Sequence, residues 1–295
     1  MSVPLKLRNW INIKYLDFNA LSENENAIQL LKENPDKIYW SFLSLNPNAI
    51  EILKNNQDKI DWFYISMNKN AIEIIKDNLD KIDWNHLSGN PNAIEILKNN
   101  QDKINWNRLS SNPNAIELLK ENFDKINWEL LSENPNAIEL LKANSDKINK
   151  YYLAKNLNGI KLLKEEFNII EWLCLSSNPN AIQLLKGNLE NISWYILSSN
   201  PNAIEILKEN QNKINWSQLS SNPNAIELLK ENQDKINWDL LSGVSTIFTY
   251  DYDKLRNSNV DLKEEIIAKA LHPKRIFRLI EEYGEDEIYN IYFDD

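Results

Sequence analysis

Leu109-Ser110-Ser111-Asn112-Pro113-Asn114-Ala115-Ile116-Glu117-Leu118-Leu119-Lys120, closed by Lys125-Ile126-Asn127-Trp128, decides the fold, because its landmarks return every 22 residues. Ala115 has counterparts at Ala27, Ala49, Ala71, Ala93, Ala137, Ala181, Ala203 and Ala225, with Gly159 in the one gap. Trp128 has counterparts at Trp40, Trp62, Trp84, Trp106, Trp172, Trp194, Trp216 and Trp238, with Lys150 in the gap and Phe18 upstream. A fixed period in the range of about 20–50 residues is the signature of a solenoid-like array.

Two short helices are expected in each repeat. In Asn46-Pro47-Asn48-Ala49-Ile50, Asn reads as an N-cap and Pro as the first helical residue. Ala49, Ile50, Ile52 and Leu53 then give one apolar stripe, and Asn56 reads as a left-handed helix stop. The second helix starts at the tryptophan, behind Asp17, Asp61, Asp83, Asn105, Asn127, Ser193, Asn215 or Asn237, all N-capping residues. Helices this short are marginal alone, so stacking must stabilise them. The fold class expected is all-α: an α-solenoid of ten 22-residue two-helix repeats with a helical C-terminal cap. A strand-plus-helix horseshoe of the leucine-rich kind is the rival, because its period also covers 22 residues.

In chain order, residues 1–20 read as an N-terminal cap or half-repeat, with Trp10 covering the open end. Residues 21–242 are the repeats, and residues 243–295 are a helical C-terminal cap. At about 8–10 Å per helix layer, ten repeats give a body on the order of 90 Å long. Residues 149–170 lose Trp, Ser, Pro and Ala together, which is either drift or a bend and docking point. After the break at Gly243–Thr246, Leu262–Leu271 and Pro273–Tyr283 read as helices, and 285–295 as an acidic tail with Tyr289, Tyr292 and Phe293.

The chemistry-bearing residues are sparse. His86, His272 and Cys174 are isolated, so no metal site is expected. Five scattered glycines make no phosphate cradle. Nothing pairs a nucleophile with a base, so no enzyme activity and no cofactor are expected. The formal net charge of −10 disfavours nucleic acid. The N-terminus lacks the apolar core of a secretory signal, no run is long enough to span a membrane, and a single cysteine fits a reducing compartment. A monomer in the cytoplasm is expected.

Three columns are unbroken in the ten repeats. Two are Asn columns, Asn24 to Asn222 and the positions two residues on, which read as structural hydrogen-bond ladders. The third is the Lys column, Lys32 to Lys230. It supports an RNA-binding alternative, although a companion Glu column (Glu51, Glu73, Glu95, Glu117, Glu139, Glu205, Glu227) neutralises it. Recognition of a protein partner is expected where repeats differ, after each Trp and after the helix-closing Asn. The candidate partner-binding residues are Phe63, Tyr64, Arg108, Phe123, Tyr151, Tyr152 and Tyr195.

The run Leu-Ser-x-Asn-Pro-Asn-Ala-Ile-x-Leu-Leu-Lys with Lys-Ile-x-Trp resembles tandem-repeat proteins encoded by giant DNA viruses of the mimivirus type. Lys263–Ile276 is similar to the tail such proteins carry. The resemblance implies a viral protein acting in the host cytoplasm or the virion, and it implies no enzyme activity.

Overall fold

A computed structural model describes residues 4–163, 167–258 and 271–283. The repeats are helical throughout. A typical one runs from the helix Trp106–Ser111 through a turn to the helix Ile116–Glu121 and the 3-10 turn Phe123–Lys125. We call these the Trp helix and the Ile helix, and count a unit from each Trp position. Unit 1 begins at Phe18, unit 2 at Trp40 and unit 11 at Trp238. Among the described residues the only strands are β1 (Leu5–Leu7) and β2 (Phe248–Tyr250), outside the repeats, so the horseshoe is set aside.

Most Trp helices start where the sequence places them. The side chains of Asp17, Asp61, Asp83, Asn105, Asn127, Ser193, Asn215 and Asn237 all accept N–H groups of the first helical turn. The Ile helix starts differently from expectation. Asn46 caps the C-terminus of the preceding Trp helix, and the Ile helix begins only at Ile50, behind Ala49. Pro47 belongs to the turn between them. Unit 8 alone keeps the expected arrangement, with Asn178 capping a 3-10 turn whose first residue is Pro179. Asn56 is not left-handed either; its φ is −139° and its side chain donates to the Ile52 carbonyl.

The Asn of Asn-Pro-Asn is drawn from capping by a stronger demand, which is to satisfy the buried backbone of the neighbouring unit. Asn112 Nδ2 donates to the carbonyls of Ser88 and Asn90, both at 3.0 Å. Its Oδ1 accepts the N–H of Asn114, and Asn114 Nδ2 reaches the Pro91 carbonyl at 2.9 Å. The preceding Ser works in the other direction, towards the start of the next Trp helix. Ser88 Oγ donates to the Trp84 carbonyl and accepts the Asn105 N–H. Asn112 and Ser110 are buried, so each bond replaces one that water cannot make. Beneath this polar row, Leu109, Ala115 and Leu119 are fully buried. On the surface, Lys125 Nζ lies 4.4 Å from the Trp106 ring centroid, and the contact recurs at Lys59–Trp40 and Lys103–Trp84.

The same bonds join the last unit to the first. Asp17 N–H donates to Ser242 Oγ at 2.9 Å, as Asn105 does to Ser88. Asn24 Nδ2 donates to the Ser242 and Val244 carbonyls, and Asn26 Nδ2 to that of Ser245. Tyr15, three residues before Phe18 in the lysine position, stacks on Trp238 at 5.1 Å. Residues 8–248 therefore form a closed circuit of eleven units, not the elongated body of about 90 Å with two covered ends. At about 9 Å per step, the circuit is on the order of 30 Å across between Trp-helix axes. Trp10 packs on Trp238 at 6.3 Å, inside this closure. Ile247 fills the alanine column, and Thr246 Oγ1 reaches the Pro223 carbonyl where other units use Asn.

The divergent stretch 149–170 keeps the circuit continuous. Asn156 and Asn178 make their paired ladder bonds on either side of it. Ala154 replaces the relay serine and has no hydroxyl to accept the next unit's N–H. The following helix compensates by starting early, at Ile169, where Asn168 and Glu171 form a capping box that satisfies the Glu171 N–H.

The chain divides into two compact units, Arg8–Phe248 and a second made of Met1–Leu7 with Thr249–Asp295. The second contains the paired strands β1 and β2 and the helices Tyr252–Ser258 and Pro273–Tyr283. Asp251 N–H donates to the Pro4 carbonyl, and Lys6 Nζ lies 3.6–3.7 Å from Asp251 and Asp253. The expected helix at Leu262–Leu271 and the tail 285–295 fall outside the described residues, apart from Leu271.

Candidate interaction face

Helix geometry decides which side chains the array leaves free. At about 100° per residue, the buried positions three and four after Trp (Leu109 and Ser110) leave the first, second and fifth positions on the opposite side. Trp helices of neighbouring units approach more closely than Ile helices do. In a closed circuit the closer layer is the inner one, so this free face turns inward. Its first position is exposed in nearly every unit: Phe63, Asn85, Asn107, Tyr151, Leu173 and Tyr195 among them.

The face carries most of the expected partner-binding residues, and the structure sorts them into groups. Phe63 and Tyr64 are not an isolated pair. Tyr39, Phe42, Tyr64, Phe63 and His86 form an unbroken aromatic run from the end of unit 1 to unit 4, with successive centroids 4.1–5.8 Å apart. Arg108 follows, exposed, one unit further on. Tyr151 and Tyr152 meet edge to face at 5.0 Å in unit 7, with Lys155 over both rings. Tyr195 is 57% exposed and its hydroxyl accepts from Gln218 Nε2. Phe123 belongs elsewhere. It sits in the 3-10 turn against Trp128, under Lys147, within the lysine–tryptophan row. Tyr39, Phe42 and His86 are additions to the candidate residues; the signal for Tyr39 is an aromatic ring in a column that otherwise holds Asp, Asn, Ser or Glu.

Electrostatics on this face is local. His86 Nδ1 lies 2.9 Å from Asp83 Oδ1. Burial pushes the Asp83 carboxyl up, but hydrogen bonds from the His86 N–H and ring, and from the Asn85 N–H, outweigh it and hold it below the usual range. Burial likewise opposes the Lys155 charge, yet Tyr151 and Glu133 more than compensate and raise its pKa. Burial pushes the Cys174 thiol up. Six residues of the Lys column, Lys120 and Lys142 among them, lie 2.7–4.0 Å from the Glu three residues before, whereas Glu227 pairs with Arg8.

Among the described residues no three His, Cys, Asp or Glu side chains gather where a metal ion could sit, and no helix is long and apolar enough to cross a membrane. No protein-family model, no curated protein and no solved structure matches the chain.

Proposed function

We propose that this chain is a non-enzymatic scaffold that binds protein partners through the inward face of its circuit. One observation carries the reading. The two Asn columns repeat unchanged through ten units and spend their hydrogen bonds on neighbouring backbone, while the positions after each Trp vary freely and include Phe63, Tyr64, Tyr151 and Tyr195. Rigid aromatic side chains on a preorganised surface are the usual anchors of protein recognition. The pairing of most of the Lys column with Glu, and the net charge of −10, weigh against an RNA role. The resemblance to giant-virus repeat proteins supports placing this role in the host cytoplasm or the virion.

The test is capture of partners from lysate of a host cell on the purified protein, with and without RNase, followed by titration of each captured protein. Binding that survives RNase and weakens at least about tenfold when Phe63, Tyr64, Tyr151 and Tyr195 become Ala supports the scaffold, because anchor truncations cost more than about 1–2 kcal/mol each. Retention that disappears with RNase moves the role to nucleic acid.

A further inference from the structure

The junction between unit 11 and unit 1 holds a cavity of about 420 Å³. Small or apolar residues at three positions shape it. Ala20 occupies the position that Phe42 and Tyr64 fill in the next two units. Gly243 stands where unit 2 has Leu45 and unit 3 has Met67, and Val244 where ten other units have Asn. A Cβ at Gly243 would meet the Leu240 carbonyl at 3.7 Å and Ala20 Cβ at 4.0 Å, ordinary contacts, so a side chain can be introduced there without a clash at Cβ.

The lining has two characters. Leu45, Pro47, Leu240 and Val244 make apolar walls, while Glu23 and Glu25 stand exposed beside them. Neither carboxylate has an ion-pair partner among the described residues, and no Lys or Arg lines the cavity. We propose that it binds an alkyl cation, an ammonium or guanidinium on an aliphatic stem. The stem lies against Leu45 and Leu240 and the charge lies between Glu23 and Glu25, the split environment such groups prefer. The walls come from units 10, 11, 1 and 2, so an occupied cavity ties the two ends of the array together and stabilises closure by mass action.

The probes are agmatine and the blocked peptide acetyl-Ala-Arg-Ala-amide, titrated calorimetrically into the full chain, with the norleucine peptide as the uncharged control. The expected result is saturable binding of at least one cation, weakened roughly fivefold for each of Glu23→Gln and Glu25→Gln, and a raised thermal midpoint at saturation. Tighter binding of the peptide assigns the site to a side chain on a partner; equal or tighter binding of agmatine assigns it to a free amine. Ala20→Phe and Gly243→Met borrow side chains that units 2 and 3 already carry and should abolish binding. The exposed Glu→Gln variants decide the matter if either filled variant folds poorly. No binding at millimolar concentration, equal binding of the norleucine peptide, or binding unchanged by filling or by the Glu→Gln variants overturns the proposal.

Discussion

An interior junction, such as that between units 4 and 5, and the junction between units 11 and 1 use the same polar bonds with different surroundings. Both have the paired amide of an Asn, Asn112 in one and Asn24 in the other, and both have a serine hydroxyl accepting an N–H, from Asn105 or Asp17. They differ around that core. Interior lysine-over-tryptophan contacts give way to Tyr15 stacked on Trp238, and Arg8 adds a bond from its guanidinium to the Thr246 carbonyl. An interior junction is also held by the continuous chain, whereas the closing one is held by side chains and backbone pairing alone. The bonded core thus defines a junction, and the periphery adapts to whether the chain passes through it.

The largest expected effect is from the Asn ladder. Asn112→Ala and Asn24→Ala each take the side-chain donor from one buried carbonyl (Ser88 or Ser242), leave a second (Asn90 or Val244) with only the N–H of Ala93 or Ile247, and strand one N–H, at a cost of about 2–4 kcal/mol. Urea unfolding should show similar losses for both, but only Asn24→Ala should speed amide exchange selectively in units 1 and 11. Equal protection of those units in the two variants would mean that closure does not depend on Asn24.

Next comes the serine relay. Ser110→Ala and Ser242→Ala each strand an N–H, that of Asn127 or of Asp17, and should cost about 1–2 kcal/mol. Ala154→Ser should change stability by less than about 0.5 kcal/mol, because Asn168 already satisfies the Glu171 N–H. A gain comparable to the Ser110→Ala loss would show that the early-starting helix is a poor substitute. Tyr15→Ala should cost about 0.5–1.5 kcal/mol and Lys125→Ala about 0.5–1 kcal/mol. Thermal melts of the two variants rank the stacking against the cation–π contact.

The smallest effects are electrostatic. Lys120→Ala removes an exposed pair and should shift stability by about 0.5 kcal/mol or less, vanishing in high salt. Asp83 has a lowered folded pKa, so its stabilising contribution is present above the unfolded carboxyl value of about 3.9 and is lost as pH falls through the lower folded value. Asp83→Asn should therefore destabilise at about pH 6, and the difference from the parent should shrink as pH falls below about 3.9. A constant difference across that range would remove the ionised Asp83–His86 contact from the fold's stability.

The period, the two-helix unit and the Trp-helix caps were legible in the sequence, because each depends on residues close together in the chain. Asp61 before Trp62 caps whatever its neighbours do. The Asn columns were legible as ladders, but their direction was not. Asn46-Pro47 has the local signature of a helix start, and only the buried carbonyls of Ser22 and Asn24, one unit back, show why the side chain turns there. Closure was hidden for a related reason. It depends on a small rotation per unit accumulated eleven times, and no single repeat encodes that sum. Its traces were present as oddities, Tyr15 in a lysine position and Thr246 in an asparagine position. The aromatic candidates were legible by exposure, whereas the link from Phe63 to His86 required the placement of adjacent units.

Closure is tested most directly by distance. Nitroxide labels at Asn19 and Asp239 occupy the same position in units 1 and 11, as labels at Asn85 and Asn107 do in units 4 and 5. Native Cys174 is buried and is replaced by Ala for selective labelling. The expected result is the same short-range dipolar broadening for both pairs, that of neighbouring helices about 10 Å apart. Broadening at 85/107 with none at 19/239 would mean that the array is open in solution.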